Sequence, residues 1–170
     1  MRTLIYPGTF DPLTRGHVDI ARRARRLCDR LYVVVLRNAN KRPAFDVAER
    51  RDMAARCLAD LDGCFVEDYD GLLVDYMVER GAVAVVRGLR SESDFRYELE
   101  MVAANRLLYE SFESILLPSS SALALTSSAI VREVAAYGGD ISAMVPDEIQ
   151  DEVARRLVRP EYRHRLEVRT

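Results

Sequence analysis

The sequence predicts an α/β fold: one parallel β-sheet with helices packed on both of its faces. Two observations predict it. Short apolar runs alternate with longer stretches of helical periodicity along the whole 170-residue chain, and such an alternation calls for a parallel sheet. Some of the short runs are apolar at every position, as in 31–36, which marks a strand covered on both faces rather than one facing water.

The first strand is read at 3–6 and stops at Pro7-Gly8, a turn signal. Ile20, Ala21, Ala24, Leu27 and Cys28 then recur at helical spacing, with Arg22, Arg23, Arg25 and Arg26 largely on the other face. The second strand is 31–36, followed by a polar loop over 37–45. Asp46 with Glu49 three residues on forms a capping box that opens a helix to about Leu58. A short strand at 64–66 precedes a helix over 72–80, where Gly81 suits the C′ position. The fourth strand, 82–86, ends at Arg87-Gly88. Ser91 with Asp94 caps a long helix to about Tyr109, with Phe95, Leu99, Val102 and Leu107 near one face. The fifth strand, 114–117, is stopped by Pro118. Thr126-Ser127-Ser128 precedes a helix that closes at Gly138-Gly139, and Pro146-Asp147 starts a last helix to about Val158. The expected architecture is a single Rossmann-like, doubly wound, five-stranded parallel sheet over 1–158 with a C-terminal helix. A charged tail, 159–170, follows, and His164 within it reads as solvated.

Composition narrows the function classes. The chain is 49% hydrophobic with a formal net charge of −2, which speaks against a general nucleic-acid binder with a basic face. No run of about 18 apolar residues occurs, and the apolar run after Met1-Arg2 is too short for a signal peptide. No membrane partner is expected. Cys28, Cys57 and Cys64 are odd in number and widely spaced, fitting reduced core cysteines in the cytoplasm rather than disulfides or a zinc site. The chain has 24 Arg and one Lys, Lys41. Lysine is a compact, mobile point charge and arginine a planar fork, so a single lysine on such a background is either an accidental survivor in a solvated loop or a position that needs the former.

In a doubly wound sheet, ligands bind beyond the carboxyl ends of the strands, near the switch in strand order. Four loops there carry unusual content: 7–16, 37–45, 87–91 and 118–128. In the first, Gly8 allows a tight turn and close approach of backbone to ligand. Thr9 offers a hydroxyl and an N–H, and Gly16-His17 lies where a helix begins. Free N–H groups and the positive dipole end make that an anion site. Thr126-Ser127-Ser128 offers a second helix start of the same kind. No Ser–His–Asp arrangement is evident, and no carboxylate cluster reads as a metal cage, so no metal ligand is expected.

Gly8-Thr9-Phe10-Asp11-Pro12, with Thr14-Arg15-Gly16-His17, resembles the signature of the (H/T)xGH nucleotidyltransferase superfamily. Thr14, where the commoner residue is His, points to the bacterial phosphopantetheine adenylyltransferase family. The similarity continues through Lys41-Arg42-Pro43, Arg87-Gly88-Leu89-Arg90, Asp94-Phe95-Arg96-Tyr97-Glu98 and Ser127-Ser128, covering about 2–158. Sister families acting on nicotinate mononucleotide or glycerol phosphate usually carry His at position 14 and lack Arg-Gly-Leu-Arg.

The resemblance implies an enzyme of coenzyme A biosynthesis, transferring AMP from ATP to 4′-phosphopantetheine with release of pyrophosphate. Such a transfer needs positioning and charge stabilisation rather than a protein nucleophile. It implies His17 as transition-state stabiliser, with Lys41 and Arg90 beside it in catalysis. It places Thr9, Phe10, His17, Gly88, Leu89, Arg90, Glu98, Ala122, Leu123, Ala124, Leu125, Thr126, Ser127 and Ser128 on the ATP side. It places Thr9, Lys41, Leu73 and Arg87 on the phosphopantetheine side, and has Asp94 position Arg90. For Glu98 the residues alone suggest pairing with Arg90 or Arg106. Ala122-Leu123-Ala124-Leu125 replaces a stretch that often carries an aromatic, so contacts there would fall to backbone. Mg²⁺ as cofactor, feedback binding of coenzyme A and a homohexamer are further implications.

Overall fold

The structure, a computed structural model, describes residues 1–37, 43–124 and 126–167. Lys41 and Leu125 therefore lie outside the described residues. The elements run β1 (Thr3–Gly8), α1 (Arg15–Arg25), β2 (Arg30–Leu36), α2 (Val47–Cys57), β3 (Cys64–Tyr69), α3 (Leu73–Glu79), β4 (Ala84–Leu89), α4 (Glu92–Leu108), β5 (Ser114–Pro118), α5 (Ser128–Ala136) and α6 (Asp147–Leu157). The five strands form one all-parallel sheet in the order β3-β2-β1-β4-β5. The chain winds outward from β1 to β3, returns to the other side of β1 as β4, and continues to β5. The reversal falls between β1 and β4, so the crevice is expected beyond the carboxyl ends of those two strands.

Alternation along the strands sorts the core onto the two faces. Leu4, Tyr6, Val33, Val35 and Val86 point to one side, against Ile20, Ala21 and Ala24 of α1, Met53 and Ala54 of α2, and Val131, Ile149 and Val153 of α5 and α6. Ile5, Val34 and Val85 point to the other, against Val74, Tyr76 and Met77 of α3 and against Phe112.

Four boundaries depart from the sequence reading. β1 runs on through Pro7 and Gly8, which pair with Val34 and Val35. β3 continues to Tyr69, although Glu67 and Asp68 are polar, because an edge strand need not be apolar throughout. β4 starts two residues later than expected and includes Arg87 and Gly88, so the strand itself delivers these residues to its carboxyl end. The tail is not wholly irregular: Pro160–Tyr162 forms a 3-10 turn, His164–Glu167 a short helix, and Tyr162 lies edge-on to Tyr137 at 5.4 Å.

Helix α4 departs more deeply. Its apolar residues are not buried by the rest of the chain: Phe95, Leu99, Met101 and Leu107 are all exposed, Leu107 at 90%, and Val102 is only half-buried. The buried side chains of α4 are Glu98 and Asn105.

Candidate active site

A cavity of about 590 Å³ opens at the reversal point, lined by the end of β1, the start of α1, the end of β4, α4, Ser119 and the start of α5. Its floor is the turn after β1. Phe10 carries a left-handed backbone, φ 48°, a conformation that costs a non-glycine residue about 1 kcal/mol or more. Its ring is buried edge-on between Tyr6, at 5.4 Å, and His17, at 5.1 Å. The turn expected of Gly8 is thus made at Phe10. Gly8 instead leaves room for the ring, since a Cβ there would lie 2.6 Å from Phe10 Cζ.

Thr14 caps α1. Its hydroxyl accepts from the backbone N–H of His17, and its own N–H donates to His17 Nδ1 at 3.0 Å. A backbone N–H only donates, so Nδ1 is the unprotonated nitrogen and the neutral ring carries its proton on Nε2. The Thr14 hydroxyl, 3.1 Å from the same Nδ1, is consistent with that assignment. Burial, reinforced by the charges of Arg90 and Arg87, lowers the imidazole pKa to about 3. His17 therefore sits in the cavity wall as a neutral hydrogen-bond donor.

Two guanidinium groups flank it. Arg87 donates to both carboxylate oxygens of Glu98, at 2.7–2.9 Å, and to the Pro7 carbonyl at 2.8 Å. Burial alone would lower Arg87, but Glu98 turns the shift upward. Three of its five N–H groups are committed, and two remain for a ligand. Arg90 is held by Asp94 through Nε, at 3.0 Å, and through its own backbone N–H. The sequence reading of Asp94 as the partner of Arg90 matches this arrangement. The reading of Glu98 does not: it pairs with Arg87, because the β4 residue at the sheet end lies closer to the buried face of α4 than Arg90 or Arg106 does.

At the far wall, Ser127 caps α5 by accepting from the Ile130 N–H. Ser128 donates its hydroxyl to the Pro12 carbonyl at 2.8 Å, so it ties α5 to the first loop and keeps only its N–H for a ligand. Of the residues singled out from the sequence, the cavity brings together Thr9, Phe10, His17, Arg87, Gly88, Arg90, Glu98, Leu123, Thr126, Ser127 and Ser128. Leu89, Ala122 and Ala124 do not line it. Leu73, half-buried at the start of α3, packs against the core cluster on the α3 face of the sheet and does not line this cavity.

Sequence reasoning passed over two charged residues. Arg132 lines the cavity and donates to the backbone carbonyl and the carboxylate of Asp11. Its signal was its spacing, four residues past Ser128 and so on the same face of α5. Asp11, buried, accepts from the N–H groups of Ala44 and Phe45 at 3.0–3.1 Å. Among the described residues no three His, Cys, Asp or Glu side chains gather to hold a metal ion, and the cavity carboxylates Asp11, Asp94 and Glu98 are each engaged by arginine.

The family model described as cytidylyltransferase-like matches residues 5–134, which takes in every loop just described. A phosphopantetheine adenylyltransferase of Thiobacillus denitrificans is 46% identical over 157 residues, covering 92% of this chain and 96% of its own length. One of Desulfosudis oleivorans is 41% identical, with 92% and 94% covered. The chain belongs to the phosphopantetheine adenylyltransferase family. Among solved structures, a lipopolysaccharide core biosynthesis protein of Thermoplasma volcanium GSS1 superposes with a TM-score of 0.51 over 71% of this chain and 97% of that one, at 22% identity. That likeness establishes the shared fold alone. Membership of the phosphopantetheine adenylyltransferases makes this chain a nucleotidyltransferase, and the cavity is the candidate active site.

Proposed function

We propose that the chain transfers AMP from ATP to 4′-phosphopantetheine, giving dephospho-coenzyme A and pyrophosphate. A phosphate oxygen of phosphopantetheine attacks the α-phosphorus of ATP in line. The new P–O bond forms as the bond from the α-phosphorus to the bridging oxygen breaks, and pyrophosphate leaves. The observation that carries the reading is His17: neutral, fixed by Thr14, with Nε2–H as its donor. A fixed neutral donor stabilises charge gathering on the α-phosphoryl oxygens without losing its proton. Thr9 receives the attacking phosphate, with the two uncommitted N–H groups of Arg87 and with Lys41. Arg90, aimed by Asp94, meets the charge of the leaving pyrophosphate, and the first N–H groups of α5 take the terminal phosphates. Glu98 acts through Arg87. Gly88, Leu123 and Thr126 border the nucleotide, and Leu73, half-buried at the start of α3, is the contact for the pantetheine arm.

Mg²⁺ arrives as part of the MgATP substrate, because the engaged carboxylates leave no cage for a resident ion; such ions ride on phosphates and keep their water. Coenzyme A, which shares the pantetheine arm and nucleotide, fits as a feedback ligand of the same cavity. The uncovered face of α4 supports a homo-oligomer, the hexamer implied by the sequence resemblance. The free cysteines suit a cytoplasmic location, and no described helix is long and apolar enough to cross a membrane.

The test is pyrophosphate release with ATP against phosphopantetheine, nicotinate mononucleotide and glycerol phosphate, the last also with CTP. Turnover with phosphopantetheine alone is expected. Turnover only with either of the others overturns the reading.

A further inference from the structure

Arg50, on the first turn of α2, is 2% exposed, the largest fully buried side chain among the described residues. It makes no ion pair among those residues. Instead its guanidinium donates to four backbone carbonyls: Thr9 at 2.6 Å, Phe45 at 3.1 Å, Asp46 at 3.3 Å and Leu36 at 3.4 Å. These belong to three separate segments, namely the turn after β1, the end of β2 and the start of α2. Burial lowers its pKa, with Asp11 and Asp46 opposing.

A buried cation without a carboxylate in contact is a costly way to fill a core, and an apolar side chain of similar length fills the same space without that cost. What arginine alone supplies is a planar fork that binds several acceptors at once. The shortest of its bonds goes to Thr9, the residue that the proposed reaction uses for the attacking phosphate. We infer that Arg50 is a positioning residue, which holds the Thr9 carbonyl so that the hydroxyl of Thr9 faces the cavity. The inference rests on the proposed adenylyl transfer only for its kinetic readout.

The test uses the full chain with Arg50→Met and Arg50→Lys. Arg50→Met is expected to fold and to bind ATP within about threefold of the parent, yet to lose about tenfold or more in kcat, since small misplacements of a reacting group carry penalties of that order. Lysine keeps the charge but not the fork, so Arg50→Lys is expected to recover little. In a Thr9→Ala background, replacing Arg50 should change kcat by no more than about threefold, because residues that act through one another are not additive. Hydrogen exchange should quicken in peptides covering 8–13 and stay unchanged in α1 and α6, whichever acceptor the enzyme uses. Parent-like kcat in Arg50→Met, full recovery in Arg50→Lys, additive losses with Thr9→Ala, or exchange that quickens evenly along the chain each overturns the inference. If the unmodified chain turns over no phosphopantetheine, the proposed function fails, and the exchange contrast still decides the role of Arg50.

Discussion

His17 is a histidine whose proton is assigned by a neighbour's backbone. Thr14 N–H occupies Nδ1, and burial with two nearby arginines holds the pKa at about 3 against an ordinary 6.5. Its charge state is therefore constant throughout neutral pH, and this imidazole adds no limb to the rate profile there. It does add one to stability. Between 6.5 and about 3 the unfolded chain takes up a proton that the native ring refuses. The native state thus holds its full advantage above 6.5 and loses it as pH falls toward 3. His17→Asn should flatten the acid side of a plot of urea midpoint against pH; an unchanged slope would contradict the assigned shift. His17→Ala should lower kcat by about 100-fold to 1,000-fold, the scale for removal of one fixed donor, while isothermal titration still detects ATP. Near-normal kcat would remove His17 from the proposed role. The residue types at this site were legible in the sequence because the whole spacing from Gly8 to His17 carries more than Gly16-His17 at a helix start, which alone also suits a plain cap. The tautomer was not, since it depends on a contact three residues back that only the folded cap makes.

Between elements, the contact of β4 with α4 has the clearest consequence. Glu98 is buried on α4 and takes three hydrogen bonds from Arg87 at the end of β4. Glu98→Ala strands the arginine. A loss of about 3 kcal/mol is expected, the lower range for breaking a buried pair, together with a raised KM for the acceptor substrate. Thermal denaturation and steady-state kinetics on the same preparation check both, and stability within 0.5 kcal/mol of the parent, about the level of a surface substitution, would show the pair to be of no weight. The helices and strands were legible from periodicity and caps: the Asp46–Glu49 and Ser91 caps stand where the sequence puts them. Partner choice across elements was not, because Glu98 meets Arg87, Arg90 or Arg106 depending on where the strand ends, and β4 ends three residues later than its apolar run.

The order β3-β2-β1-β4-β5 explains why residues far apart in the chain share one cavity. It also leaves α4 with apolar side chains that no described residue covers. Several exposed large apolar side chains on one helix, Phe95 and Leu99 one turn apart on the same side among them, mark contact with another molecule, and a second copy is the simplest occupant. Phe95→Asp together with Leu99→Asp, on that same side of α4, should lower the mass seen by light scattering while each subunit keeps its far-ultraviolet circular dichroism. An unchanged mass would show that this side of α4 carries no subunit contact. The sequence showed this apolar stripe but not its exposure, because periodicity is the same whether a helix buries its face in its own domain or against a neighbour.

Three distant elements, α2, β4 and α5, grip the end of β1 and the short turn after it: Arg50 holds Thr9, Arg87 holds Pro7, and Ser128 and Arg132 hold Pro12 and Asp11. The turn is the earliest part of the cavity to be synthesised, and the last of its supports is residue 132. A nascent chain on the ribosome thus owns this turn long before it owns the side chains that hold it. The wall that α5 supplies, and the two bonds it makes to the turn, are added only when α5 has emerged and docked.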